Sequence, residues 1–265
     1  MNKVKRATLL SIQQEIYEKN VNPTHKAVVL TEDEEEVILY CKELAPRELF
    51  VECAVALIGR DLGISIPKPY IVLATPESNY PNIEHPISAP ILLFGSESIE
   101  YPNLFRKLEE GIDKSFILPA LSQCDDDYGI ALFDEWIANT DRHFGNILFD
   151  GGDKFFFIDH DCAVPSYCQC EATIGQNKLL NSLIQNFPTE AKKQQYLDNC
   201  MLKHAPKCVK YTLNDIGERT FAQTYLDGKE INYLENFLQK RVTYISNLLH
   251  QRLNIKQQEL FGAIH

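Results

Sequence analysis

Between Asn139 and Leu148 the chain reads NTDRHFGNIL, which places Asp141, Arg142, His143 and Asn146 close together ahead of an apolar run. The run continues as ILFDGGDKFFFID, which reads as a strand, an Asp-Gly-Gly turn and a second strand ending at Asp159. A hairpin returns the chain to its starting point, so Asp159 falls near the Asp141–Asn146 loop. Two carboxylates and an amide oxygen then converge. That set suits phosphoryl transfer from a nucleotide: one carboxylate orients an attacking hydroxyl and accepts its proton, and the other, with the Asn, holds Mg²⁺. A carboxylate ending an otherwise apolar strand is also costly unless it is used or paired. The alternative is an Asx-rich turn without chemistry. His143 is read as a brace for the loop rather than as a general base. Arg142 either neutralises neighbouring carboxylates or touches phosphate. His160 and Asp161 are supporting residues, with Asp161 near enough to assist a metal.

The elements that must position these groups divide the chain in two. VKRATLLSI, KAVVLT, VILYCKEL and SIPKPYIVLAT read as strands, with the acidic EDEEE as a solvated turn between the second and third. PRELFVECAVALIGRDLGI changes to helical period: Leu49, Cys53, Ala56, Leu57 and Arg60 share a face, Pro46 starts the run and Gly63 stops it. Residues 76–103 read mainly as loop, with one strand at ILLF, linking two lobes. YGIALFDEWIAN is helical, and the tail from about 175 is predominantly helical, with helical spacing in INYLENFLQKRVTYISNLLHQRL. The expected fold is α+β, with a β-rich nucleotide-binding lobe over 1–100 and a mainly helical catalytic lobe over 101–265 that holds the central hairpin.

A 265-residue chain with 45% hydrophobic residues can bury a large core. Its formal net charge of −11 argues against a general nucleic-acid surface or an anionic membrane as the main partner. No apolar run is long enough for a membrane span, and the start does not read as a signal peptide. Eight cysteines are too sparse for a disulfide scaffold, so reduced thiols and a cytoplasmic location are expected. Cys162, Cys168 and Cys170, the closest cysteines, are read as structural or soluble thiols ahead of a zinc site.

NTDRHFGNIL followed by FFFIDHD resembles the catalytic segment of HipA-like kinases, a bacterial branch of the protein-kinase-like fold. LYCKEL resembles the strand carrying the nucleotide-binding lysine, pointing to Lys42. LFVECAVALIGRDLGISIPKPY resembles the helix after it, and its acidic residue matches Glu52; LLFGSES is similar to a stretch of stand-alone HipA-like domains. The resemblance covers roughly residues 5–165. It implies a two-lobed kinase fold using ATP and Mg²⁺. Asp141 would orient the acceptor hydroxyl, Asn146 and Asp159 would bind Mg²⁺, Lys42 would contact the α/β-phosphates, and Glu52 would pair with Lys42. A lysine between Cys41 and Leu44 is costly to bury unless a carboxylate and a phosphate meet it. The plain alternatives are a surface lysine on an edge strand and an acid on the wet face of a helix.

The segment matching a phosphate-covering loop, YEKNVNPTHKAVV, has no glycine, leaving Asn22, Thr24 or His25 as donors. The expected partners are a nucleotide and a protein Ser/Thr acceptor. Two alternatives stay open. DRHFGN and IDHD are also similar to motifs of phosphoinositide kinases, which would make the acceptor a lipid or small molecule. The missing glycine loop suits a binding module that performs no transfer.

Overall fold

The computed structural model describes residues 2–16, 23–78, 80–81, 88–166 and 169–255. Its front lobe is a closed five-stranded barrel. Strands β1 (Lys5–Ile16), β2 (Thr24–Thr31), β3 (Glu36–Glu43), β4 (Pro69–Ala74) and β5 (Ile91–Glu97) run in the order β1-β2-β3-β5-β4. A parallel β1–β4 pairing closes the ring, and the other pairs are antiparallel. Period-two alternation sends Ala27, Val29, Leu39, Cys41, Val72 and Leu93 into the barrel interior. Gly95 lets the wall close: a side-chain carbon there would lie 2.8 Å from both Leu39 and Val72. The single strand expected in residues 76–103 is β5, and it completes this barrel rather than merely linking the lobes. Lys42 therefore lies between Thr24 of β2 and Phe94 of β5, in a sheet without edges. A surface lysine on an edge strand is not its situation.

Helix α1 (Pro46–Asp61) starts at Pro46, and Glu48 accepts a hydrogen bond from the Ala45 N–H at 3.3 Å. Every residue from Leu49 to Gly59 is buried, Glu52 included. The expected single apolar face gives way because α1 is covered on several sides, as helices apolar all round usually are. A side-chain carbon at Gly59 would meet Ile66 on one side and Phe133 of the helical lobe on the other.

The second lobe contains α2 (Leu104–Glu109), α3 (Lys114–Tyr128) and α4 (Ile130–Trp136), then the two-stranded hairpin of β6 (Ile147–Phe149) and β7 (Phe155–Phe157). It continues through α5 (Lys178–Ile184), α6 (Glu190–Asn199), α7 (Ala205–Lys210), α8 (Ile216–Arg219), α9 (Gly228–Arg241) and α10 (Ile245–Leu253). The two-lobed α+β arrangement is the one expected. In α9, Ile231, Leu234, Phe237, Leu238 and Arg241 form the buried stripe. Arg219 of α8 ties the lobes together: it donates to Asn2 O at 2.7 Å and to Asp61 at the end of α1. Among the described residues, no helix is long and apolar enough to cross a membrane.

Asp125, at the end of α3, is buried with neutral donors only: Ala131 N–H at 2.6 Å and Tyr196 OH at 2.7 Å. Burial pushes its carboxyl up to about 6, with the two hydrogen bonds offsetting part of that. The folded state thus keeps a proton that the unfolded chain releases near pH 4. Stability from this group is present below that pH and is lost as pH rises toward 6, by about 3 kcal/mol in all. Asp125→Asn should therefore gain on the parent protein between pH 4 and 7 in urea unfolding. A constant difference across that range would refute the assignment.

Candidate functional site

The loop after α4 is held by its own side chains. Asn139 Oδ1 accepts the Asp141 N–H at 3.0 Å, and its amide donates to Asp134 at 3.1 Å. His143 Nδ1 accepts the Gly145 N–H at 2.9 Å, and its ring stacks on Phe105 with centroids 5.6 Å apart. The histidine braces the loop. Arg142 is 1% exposed and forks onto Asp134 at 3.1 and 3.2 Å. Its remaining Nη1 donates to Ile158 O at 2.5 Å and to Asn146 O at 3.3 Å. Of its two readings, the neutralising one describes this geometry. Asn146 is buried too: its side-chain amide donates to Asp141 O at 2.9 Å, and its carbonyl accepts the Ile158 N–H at 3.1 Å. The loop and the end of β7 are thereby stapled, with Asp159 next in the chain after Ile158.

Asp159 has φ +64°, a left-handed conformation that aspartate tolerates better than most side chains. Its Oδ1 lies 2.5 Å from Lys42 Nζ. Lys42 also lies 3.0 Å from Asp161 Oδ2 and 3.4 Å from Glu52 Oε2. Glu52 is fixed from the other side, accepting the His160 N–H at 2.7 Å with the imidazole Nδ1 at 3.2 Å. Burial opposes charge on both Lys42 and Glu52 and is the largest single effect on each, but their charged and hydrogen-bonding partners together outweigh it. Glu52 is held down at about 2, and the Lys42 ammonium is held above its ordinary value with help from Asp159 and Asp161. Asp161 goes the other way: burial raises its carboxyl despite the lysine.

Glu52, Asp159 and Asp161 bring carboxylate oxygens within 4.8 Å of one another, the only such metal-competent group among the described residues. Three carboxylates against one ammonium leave two formal negative charges uncompensated. An all-oxygen donor set with that charge fits a hard divalent cation such as Mg²⁺. Asn146 adjoins this cluster through Ile158. Cys162, beside Asp161, has its thiol pushed up to about 12 by burial and the neighbouring carboxylates, which makes it a poor nucleophile. Cys168 lies outside the described residues, as does Asn22. Thr24 pairs in register with Lys42. His25 is buried in the barrel with its ring 5.1 Å edge-on to Tyr80.

One member of this neighbourhood had no sequence signal. Lys178, the first residue of α5, places its ammonium 2.5 Å from Asp141 Oδ1. Nothing in its surroundings in the tail distinguishes it from other helical lysines. Residues 15–242, most of the chain, match the family described as HipA-like kinase. No curated protein matches the chain.

Proposed function

The chain belongs to the HipA-like kinase family, and from that premise we propose that it transfers the γ-phosphoryl group of ATP, with Mg²⁺, to a protein Ser/Thr hydroxyl. The observation that carries this reading is the stapled pair of loops. One presents Asp141, and the other presents Asp159 and Asp161 to the Lys42–Glu52 ion pair. Asp141 is 37% exposed on its side chain, open to an incoming acceptor, and orients the hydroxyl and takes its proton. Lys42, anchored by Glu52, binds the α/β-phosphates. Asn146 and Asp159 would hold the metal, with Asp161 assisting, and Mg²⁺ there would supply neutralisation of phosphate charge. The acidic cluster by itself repels a polyphosphate, so nucleotide binding requires the divalent cation.

Asp141→Ala should lower phosphate transfer by about 10²–10⁴-fold, the usual worth of a positioned general base. Because Asp141 is partly exposed, Mg·ATP affinity and melting temperature should change little. Radiolabel transfer beside calorimetric binding measures both, and an unchanged rate would sink the role. The glycine-free segment between β1 and β2 favours a second reading, a nucleotide-binding module without transfer. Tight Mg·ATP binding with no turnover in the parent protein would select it.

A further inference from the structure

Asp141 is engaged in this structure. Lys178 Nζ sits 2.5 Å from its Oδ1, and His143 Nε2 lies 3.7 Å from Oδ2. An ion pair between two half-exposed side chains contributes little by itself, about 0–1 kcal/mol. The apparatus holding Lys178 in place is much larger than that. Asn177 caps α5 by accepting the Leu180 N–H at 3.0 Å, and its buried amide donates to Ala131 O of α4 at 2.8 Å. Glu135, also on α4 and buried, receives Arg241 at 3.0 Å and Arg252 at 2.9 Å. Both guanidinium groups then direct their remaining donors to the segment leading into α5: Arg241 to Cys170 O and Ala172 O, Arg252 to Ile174 O and Gly175 O. Gly175 packs so closely on the catalytic loop that a side-chain carbon there would lie 2.9 Å from Thr140 Cγ2. Buried ionic and amide groups thus set the start of α5 against the residue preceding Asp141.

We infer that Lys178 is a further phosphate-binding residue of the transfer site, contributed by α5. This rests on the phosphotransfer reading above. With no nucleotide, the ammonium occupies Asp141. With a nucleoside triphosphate, the ammonium turns to the γ-phosphoryl oxygens and releases the carboxylate to the acceptor hydroxyl. In the transfer, the acceptor oxygen–phosphorus bond forms and the bond from phosphorus to the β–γ bridging oxygen breaks. The electron pair leaves with the diphosphate, and the hydroxyl proton passes to Asp141. Lys178 compensates the charge on the phosphoryl group as it moves.

The test compares calorimetric binding of Mg·AMP-PNP and Mg·ADP to the parent protein, K178M and K178R. The parent should prefer the triphosphate. K178M should lose that preference by on the order of tenfold, the effect of one charge-assisted contact, with ADP affinity within about twofold of the parent. K178R should retain part of the preference. The side chain is half exposed, so K178M should fold; were it not to, K178Q provides the same comparison. Equal triphosphate-to-diphosphate ratios in the parent and K178M would overturn the inference while leaving the kinase reading intact. A parent protein that binds neither nucleotide would overturn both.

Discussion

Lys42→Met is expected to abolish Mg·ATP binding and to destabilise the protein by about 3–5 kcal/mol at neutral pH, the range for removing one partner of a buried ion pair. Lys42 is the ammonium shared by Glu52, Asp159 and Asp161, and it is 9% exposed. Asp159 is a third exposed and can turn its charge to water, so Glu52 carries most of the cost. Burial pushes the Glu52 carboxyl up, and Lys42, then His160, hold it down at about 2. A carboxyl whose folded value is depressed stabilises the protein above its ordinary range near 4.5 and loses that contribution as pH falls toward 2. The gap between the parent and Lys42→Met should accordingly be widest at pH 7 and narrow by pH 3. Millimolar Mg²⁺ should recover part of the loss by replacing the missing positive charge. Urea midpoints at both pH values measure this, and coincident midpoints at pH 7 would show that the lysine is not what compensates Glu52.

Sequence legibility followed the range of the interactions. The hairpin was readable because its strands alternate with a local Asp-Gly-Gly turn, and β6 and β7 lie where that turn requires. The strands of the barrel were readable one by one from their period, but ring closure was not, because it depends on β1 finding β4 in parallel. Glu52 had two readings of similar weight, since a single acid in an apolar helix shows nothing of what covers it. Its burial depends on a lysine ten residues earlier and on His160, which is 108 residues away. Lys178 was invisible for the same reason in stronger form. Its place is set by Arg241 and Arg252 acting through Glu135, contacts that span more than a hundred residues. His25 shows the opposite failure: its polar type suggested a phosphate donor, while the alternation of β2 turns it inward against Tyr80.

Arg142 is where the two kinds of information meet, and Arg142→Ala is expected to be among the most destabilising single substitutions in the chain. The guanidinium forks onto Asp134, whose side chain is fully buried, and its Nη1 satisfies the carbonyls of Ile158 and Asn146. Truncation leaves a buried carboxylate with only the Asn139 amide and strands the Ile158 carbonyl, while the Asn146 carbonyl keeps the Ile158 N–H. The first effect alone is worth about 3–5 kcal/mol, and the stranded carbonyl adds about 1–3, with less than full additivity. Arg142→Lys should recover only part, because a point charge cannot fork onto Asp134 and also reach both carbonyls. The double variant Arg142→Leu with Asp134→Leu removes both charges and should be more stable than Arg142→Ala alone. Its phosphate transfer should nevertheless stay low, because the loop bearing Asp141 has lost its guanidinium tether to Ile158. Denaturant unfolding of the three variants, beside their transfer rates, separates stability from positioning. A double variant with both parental stability and parental transfer would show that the Asn146–Ile158 hydrogen bond holds the two loops together without the arginine.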